Sequence, residues 1–138
     1  MPNIHPLIVH FPIGLLLVAF LLEVIALLWK KQEFSRAGWW NQIAGTLGLA
    51  LAVVSGLLAE TTVRMANDAR EPFERHEQIA FVVATLFAVL LFWRIASRGQ
   101  IPRPSWVFLL CFAAGVALLV TGAFLGGEIV YRYGVGVR

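Results

Sequence analysis

Charge and cysteine are both scarce in this sequence. Only 14% of its 138 residues are charged while 59% are hydrophobic, too little polar surface to cover four long apolar runs in water. That excludes an ordinary soluble domain, and the chain reads as an integral membrane protein. The single cysteine, Cys111, lies in an apolar run between Leu110 and Phe112. It rules out an internal disulfide, a CxxC pair and covalent c-type haem attachment, and reads as a small packing residue. A glycine-rich phosphate loop, HExxH and GxSxG are also missing, and His76-Glu77 lacks the second histidine four residues on, so the common hydrolase and nucleotide chemistries find no support. No proline or glycine pair at mid-span demands the broken helices of a transporter. The net charge of +3 gathers at helix ends rather than along one face, which is no nucleic-acid footprint. The N-terminus lacks a basic leader, and the first run carries Glu23, so that run reads as a permanent helix rather than a signal peptide.

What is present is an all-α pattern, an integral membrane bundle of four transmembrane helices in one domain over residues 1–138. Each run is about 20 residues, enough to cross the ~30 Å hydrocarbon layer, and internally satisfied helices are the form that lipid permits. The expected helices are about 6–29, 39–61, 72–97 and 105–125. Pro6 and Pro72 stand in first turns, where a missing N–H is harmless. The tail 126–138, rich in glycine, is expected to lie over the mouth of the bundle.

Loop charge sets the orientation. Lys30, Lys31, Arg36, Arg94, Arg98 and Arg103 gather at one end, against Arg64, Arg70, Arg75, Arg132 and Arg138 at the other. All five tryptophans, Trp29, Trp39, Trp40, Trp93 and Trp106, fall at the first end as an interfacial belt. The expectation is a bacterial inner (cytoplasmic) membrane location with both termini and all three histidines on the periplasmic side. Gly48, Ala52 and Gly56 form a small-residue ridge on helix 2, and Gly115 and Gly122 lie one heptad apart on helix 4. Such ridges let helices approach closely or make room for a flat cofactor. A homo-oligomer stays open.

The most specific stretches are His5-Pro6-Leu7-Ile8-Val9-His10-Phe11-Pro12 at the start and Gly126-Gly127-Glu128-Ile129-Val130-Tyr131-Arg132-Tyr133-Gly134-Val135-Gly136-Val137 at the end. Ser55-Gly56-Leu57-Leu58-Ala59 closes helix 2, and a histidine opens helix 3. Together they resemble the bacterial four-helix membrane family known as domain of unknown function 2231, over nearly the whole chain. Some members are joined to Rieske or c-type cytochrome modules, so the resemblance implies respiratory redox surroundings. Similar sequences often carry histidine at the position of Tyr133, so a further ligand from the tail is absent here.

Helices 1 and 3 run in the same direction, which puts His10 and His76 at similar depth near the outer face. The first reading is therefore a b-type haem held axially by His10 and His76. Gly14 would lie beside the porphyrin, and Arg64, Arg75 and Arg132 at the propionates. Electron transfer from a quinone pool or to a periplasmic redox protein would follow. The second is a Zn or Cu site using His5, His10 and His76 with Glu60, Glu77 or Glu128. That set converges only if the chain unwinds before Pro6, because His5 and His10 lie ~140° apart on a helix. In the third, the histidines serve structure and the protein is a helper subunit of a redox complex. Glu23 is the other anomaly: a carboxylate at this depth must face the bundle, either paired with Arg94, Asn41 or Gln42 or carrying protons. Its own offset from His10 is ~140°.

Overall fold

The computed structural model describes residues 5–61 and 67–135. It contains α1 (His5–Trp29), α2 (Gln32–Glu60), α3 (Arg70–Ala96) and α4 (Ser105–Tyr133), with a 3-10 turn at Asn67–Ala69 leading into α3. No strand occurs among the described residues, and all four helices are long and apolar enough to cross a membrane. They are apolar all round, as membrane spans are. Leu7, Leu28, Phe92 and Phe124 on the outward faces are at least 70% exposed, so lipid is their natural solvent.

Two boundaries depart from the expectation. Residues 30–36 are not a loop, because α2 already begins at Gln32. Lys30 takes a left-handed φ of 54° and reverses the chain alone, after which nothing in Gln32-Glu33-Phe34 breaks a helix. Trp29 and Phe34 close that turn ring to ring, with centroids 5.5 Å apart. At the other end residues 126–133 do not fold over the mouth, and 136–138 lie outside the described residues. Helix α4 runs through Gly126 and Gly127 to Tyr133 and stops at Gly134, whose φ of 66° is a left-handed cap. Packing of α4 against its neighbours outweighs the ~1 kcal/mol that each interior glycine costs a helix.

Helix α1 packs most extensively on α2, and α3 on α4; α1 also meets α4 and α2 meets α3, while the parallel pairs α1/α3 and α2/α4 sit diagonally. The chain is thus two antiparallel hairpins side by side. Their inward faces repeat. In α1 the inward residues are His5, Pro12, Leu16, Ala19 and Glu23, and in α3, at a constant spacing of 71 positions (5 to 76), they are His76, Val83, Phe87, Leu90 and Arg94. In α2 they are Gly38, Gln42, Gly45, Leu49, Ala52 and Gly56, matched in α4 at a spacing of 70 (38 to 108) by Phe108, Phe112, Gly115, Leu119, Gly122 and Gly126.

The small-residue ridges serve packing. A Cβ on Gly45 would come 2.7 Å from Leu16 Cγ, and one on Gly48 3.3 Å from Pro12 Cβ, so α2 presents its glycines to α1. Gly115 does the same for Phe87, at 3.0 Å from its ring. Phe108 and Phe112 occupy in α4 the places that Gly38 and Gln42 hold in α2. They fill the centre with edge-to-face contacts, Phe87–Phe112 at 5.2 Å and Phe108–Phe112 at 5.8 Å. This is why α1 and α2 approach more closely than α3 and α4. Gly45→Leu should wedge α1 from α2 and destabilise the detergent-solubilised protein by about 1–3 kcal/mol, the usual cost of overpacking. Gly14→Leu should be near neutral, because a Cβ at Gly14 meets nothing within 4 Å. Thermal unfolding of the two variants checks the contrast.

Candidate functional site

At the end of the bundle where α1 and α3 begin, two imidazoles meet across the diagonal. The His5 and His76 rings lie with centroids 6.5 Å apart and planes at 81°. Their settings are equivalent. The His76 Nδ1–H donates to the Gly122 carbonyl at 2.9 Å, since a carbonyl can only accept. His5 Nδ1 lies 2.9 Å from Ser55 Oγ, and Ser55 gives its own proton to the Ala52 carbonyl at 2.9 Å. Ser55 therefore accepts, and His5 too carries its proton on Nδ1. Ala52 and Gly122 are counterparts in the repeat, as are Gly56 and Gly126, on which the rings rest. A Cβ at Gly56 would come 3.2 Å from His5 Cε1, and one at Gly126 3.0 Å from His76 Cε1. Both rings thus lie back on a glycine of α2 or α4 with Nδ1 engaged. A backbone or hydroxyl anchor at one ring nitrogen is how proteins set the tautomer of a ligating histidine.

His10 is not part of this pair. It is exposed, and its Nδ1–H is donated to the Pro6 carbonyl one turn back on its own helix. Gly14, expected beside a porphyrin, lies on the same outward face in open space. The reason is the rotation of α1. Pro12, Leu16, Ala19 and Glu23 point inward, which turns His10 ~140° away from Glu23 and brings His5, ~five full turns above Glu23, onto the same line. His5 needs no unwinding before Pro6, because it is itself the first residue of α1. Arg75 is exposed and pairs with Glu71 at 2.8 Å, and Arg132 with Glu128 at 2.8 Å, each along its own helix. Glu60 is exposed. Arg64 lies outside the described residues. Among the described residues no group of three or more His, Cys, Asp or Glu side chains is placed to hold a metal ion, so the three-histidine-plus-carboxylate set does not assemble there.

The opposite end holds a second polar constellation, and here the expected pairing is found. Glu23 and Arg94 form an ion pair with both side chains fully buried. Besides this ion pair the Arg94 guanidinium donates to four acceptors: Gln42 Oε1 at 3.0 Å, the Ser35 carbonyl at 2.9 Å, Ser35 Oγ at 3.1 Å and the Gly99 carbonyl at 3.1 Å. Gly99 offers that carbonyl from a φ of 76°, which suits glycine. Trp39 lies 5.2 Å from Arg94 Cζ as a cation–π partner, and Trp93 packs edge-on to Phe108 at 5.8 Å. Those two tryptophans therefore belong to the interior, while Trp29, Trp40 and Trp106, each more than 60% exposed, form the outward belt. Asn41 is no partner of Glu23, because its amide donates to the Ala37 carbonyl at 2.9 Å. Gly38 makes the pair possible, since a Cβ there would overlap Glu23 Oε1.

What reading the residues alone missed is that His5, there only an alternative to His10, is the inward histidine of α1, with Ser55 and Gly56 as its setting and Gly122 and Gly126 as that of His76. The signal was present. His5 to Glu23 and His76 to Arg94 are the same distance in sequence, ~five turns, so two side chains that must face the bundle carry two histidines with them.

Removing one partner of the buried pair should be costly, and removing both should not. Glu23→Leu or Arg94→Leu alone should lower stability by about 3–5 kcal/mol, while Glu23→Leu with Arg94→Leu should recover most of it. Thermal unfolding of the three variants in one detergent decides the matter; additive losses would mean that the two charges do not act together.

The chain matches a family model described as predicted membrane protein (DUF2231) over residues 1–138. No match was found among curated proteins or among solved structures. The family match spans the whole bundle, both constellations included, and the chain belongs to the DUF2231 family of predicted membrane proteins.

Proposed function

We propose that this protein is a membrane-bound electron-transfer protein whose centre is an iron porphyrin of the b type held between the two hairpins by His5 and His76. The single observation that carries this reading is the imidazole pair itself: one ring from each hairpin, both anchored at Nδ1, 6.5 Å apart between centroids. A metal ~2 Å from each ring nitrogen in a near-linear arrangement would set two imidazole centroids roughly 6 Å apart, close to the 6.5 Å between these rings. Bundles commonly build cofactor sites in this way, with ligands on facing helices. His5 and His76 would hold the group from either side of the seam between hairpins, where contact is less extensive than within them. Arg75 and Arg132 stand at the same end and would reach its carboxylates on leaving Glu71 and Glu128. The site would lie near the periplasmic face of a bacterial inner membrane, within reach of a quinone pool or of a Rieske or c-type cytochrome partner.

A second reading rests on the same pair of rings: a bare Zn or Cu ion held by His5 and His76, with solvent completing its coordination.

An absorption spectrum of protein purified from haem-replete membranes separates the two. The expected result is a Soret band that sharpens on reduction, is lost in His5→Ala and in His76→Ala, and survives in His10→Ala. Stoichiometric zinc or copper after a chelator wash, with no Soret band, would transfer the site to the second reading. Loss of the band in His10→Ala alone would overturn the assignment of His5, and absence of both porphyrin and metal would overturn both readings.

A further inference from the structure

The end of the bundle remote from the histidines carries a cavity of about 860 Å³ between the α1–α2 turn and the α3–α4 loop. We propose that this cavity binds one anionic phospholipid, its phosphate among Lys30, Lys31 and Arg103 and an acyl chain along Leu27 and Ile101. The proposal rests on nothing said of the histidines.

Four observations converge on it. The volume is that of a small-molecule site. Its polar wall is cationic: Lys30, Lys31 and Arg103 line it, and among the described residues only Glu33 pairs with one of them, Lys31 at 3.8 Å. The hydroxyls of Ser35 and Ser105 add neutral hydrogen-bonding groups of the kind that accompany cations around a phosphate. Its other wall, Ala26, Leu27 and Ile101, is apolar.

The depth is right for a headgroup. Trp29, Trp40 and Trp106 stand at this end and are 62–65% exposed, as tryptophans are at the boundary between hydrocarbon and water. Cations on the aqueous side and an apolar wall on the hydrocarbon side reproduce the polarity of a lipid. Basic pockets between membrane helices are a known way to hold acidic headgroups. The cavity is also stiffly built. Lys30 occupies a tight left-handed turn at φ 54°, and Ser35 is held by Arg94 through both its carbonyl and its hydroxyl.

Phosphatidylglycerol and phosphatidylcholine share a phosphate and differ in net charge, so they make the test. The full chain in detergent micelles, titrated with each lipid and followed by native mass spectrometry, should retain one phosphatidylglycerol and at least tenfold less phosphatidylcholine. Lys30→Asn with Arg103→Gln removes two cations, and asparagine tolerates the left-handed turn. That variant should lose phosphatidylglycerol retention at least tenfold, whereas Arg75→Gln with Arg132→Gln at the far end should leave it unchanged. If Lys30→Asn impairs folding, Arg103→Gln alone, in an exposed loop, still has to weaken retention measurably. Equal retention of the two lipids would overturn the proposal, as would an unaltered Arg103→Gln. Displacement of the lipid by millimolar inorganic phosphate would also overturn it, because the site would then be one for a soluble anion.

Discussion

A carboxylate and a guanidinium buried side by side within a lipid-spanning bundle set the rotation of this molecule. Glu23 on α1 and Arg94 on α3 have no acceptable place facing hydrocarbon, where a bare charge costs ~2.5–3.5 kcal/mol or more. Both therefore turn to the centre, where they meet each other, Gln42, Ser35 and the Gly99 carbonyl. Their contribution is specificity more than stability, since a well-packed apolar pair of similar volume would often hold a bundle as well. With apolar side chains on every face, α1 and α3 have few other features that say which side is in. Once these charges are placed, the helical period carries the instruction ~27 Å along each axis to His5 and His76.

The same rotation acts in both halves because the inward faces of the two hairpins follow one pattern. Each histidine rests on a glycine of the neighbouring helix, Gly56 or Gly126. Counterpart positions meet across the centre at both ends of the bundle, but with opposite consequences. At the end where α1 and α3 begin they are alike, two imidazoles. At the opposite end they are unlike, a cation and an anion, and neutralise each other. The asymmetry extends to packing, where glycines in α2 draw α1 close while Phe108 and Phe112 in α4 fill the core from the other side.

Much of the fold was legible beforehand for a simple reason: the length and polarity of a span are local properties. The four helices, the antiparallel order imposed by short connections and the need of Glu23 for a partner inside the bundle all follow from local composition and the cost of charge in lipid. The site was only half legible. His76 faces the interior and His10 does not, because a helix that is apolar on every face offers no stripe from which to read its inward side. The angular offset between His10 and Glu23 was already evidence against it. An inward Glu23 places His10 outside and His5 inside.

The sequence by itself determined that this is a membrane bundle, how many times it crosses, where its charges and tryptophans gather, and that Glu23 needs a partner. These are decided by hydrophobic length and by the free energy of single groups in lipid or water, which depend little on what lies across the bundle. Only the tertiary structure decided which histidine faces its counterpart, that Gly126 and Gly127 continue a helix, and that Gly38, Gly45 and Gly48 make the close approach of α1. Each of those depends on the rotation of one helix against another, a property of pairs of surfaces that no single segment contains.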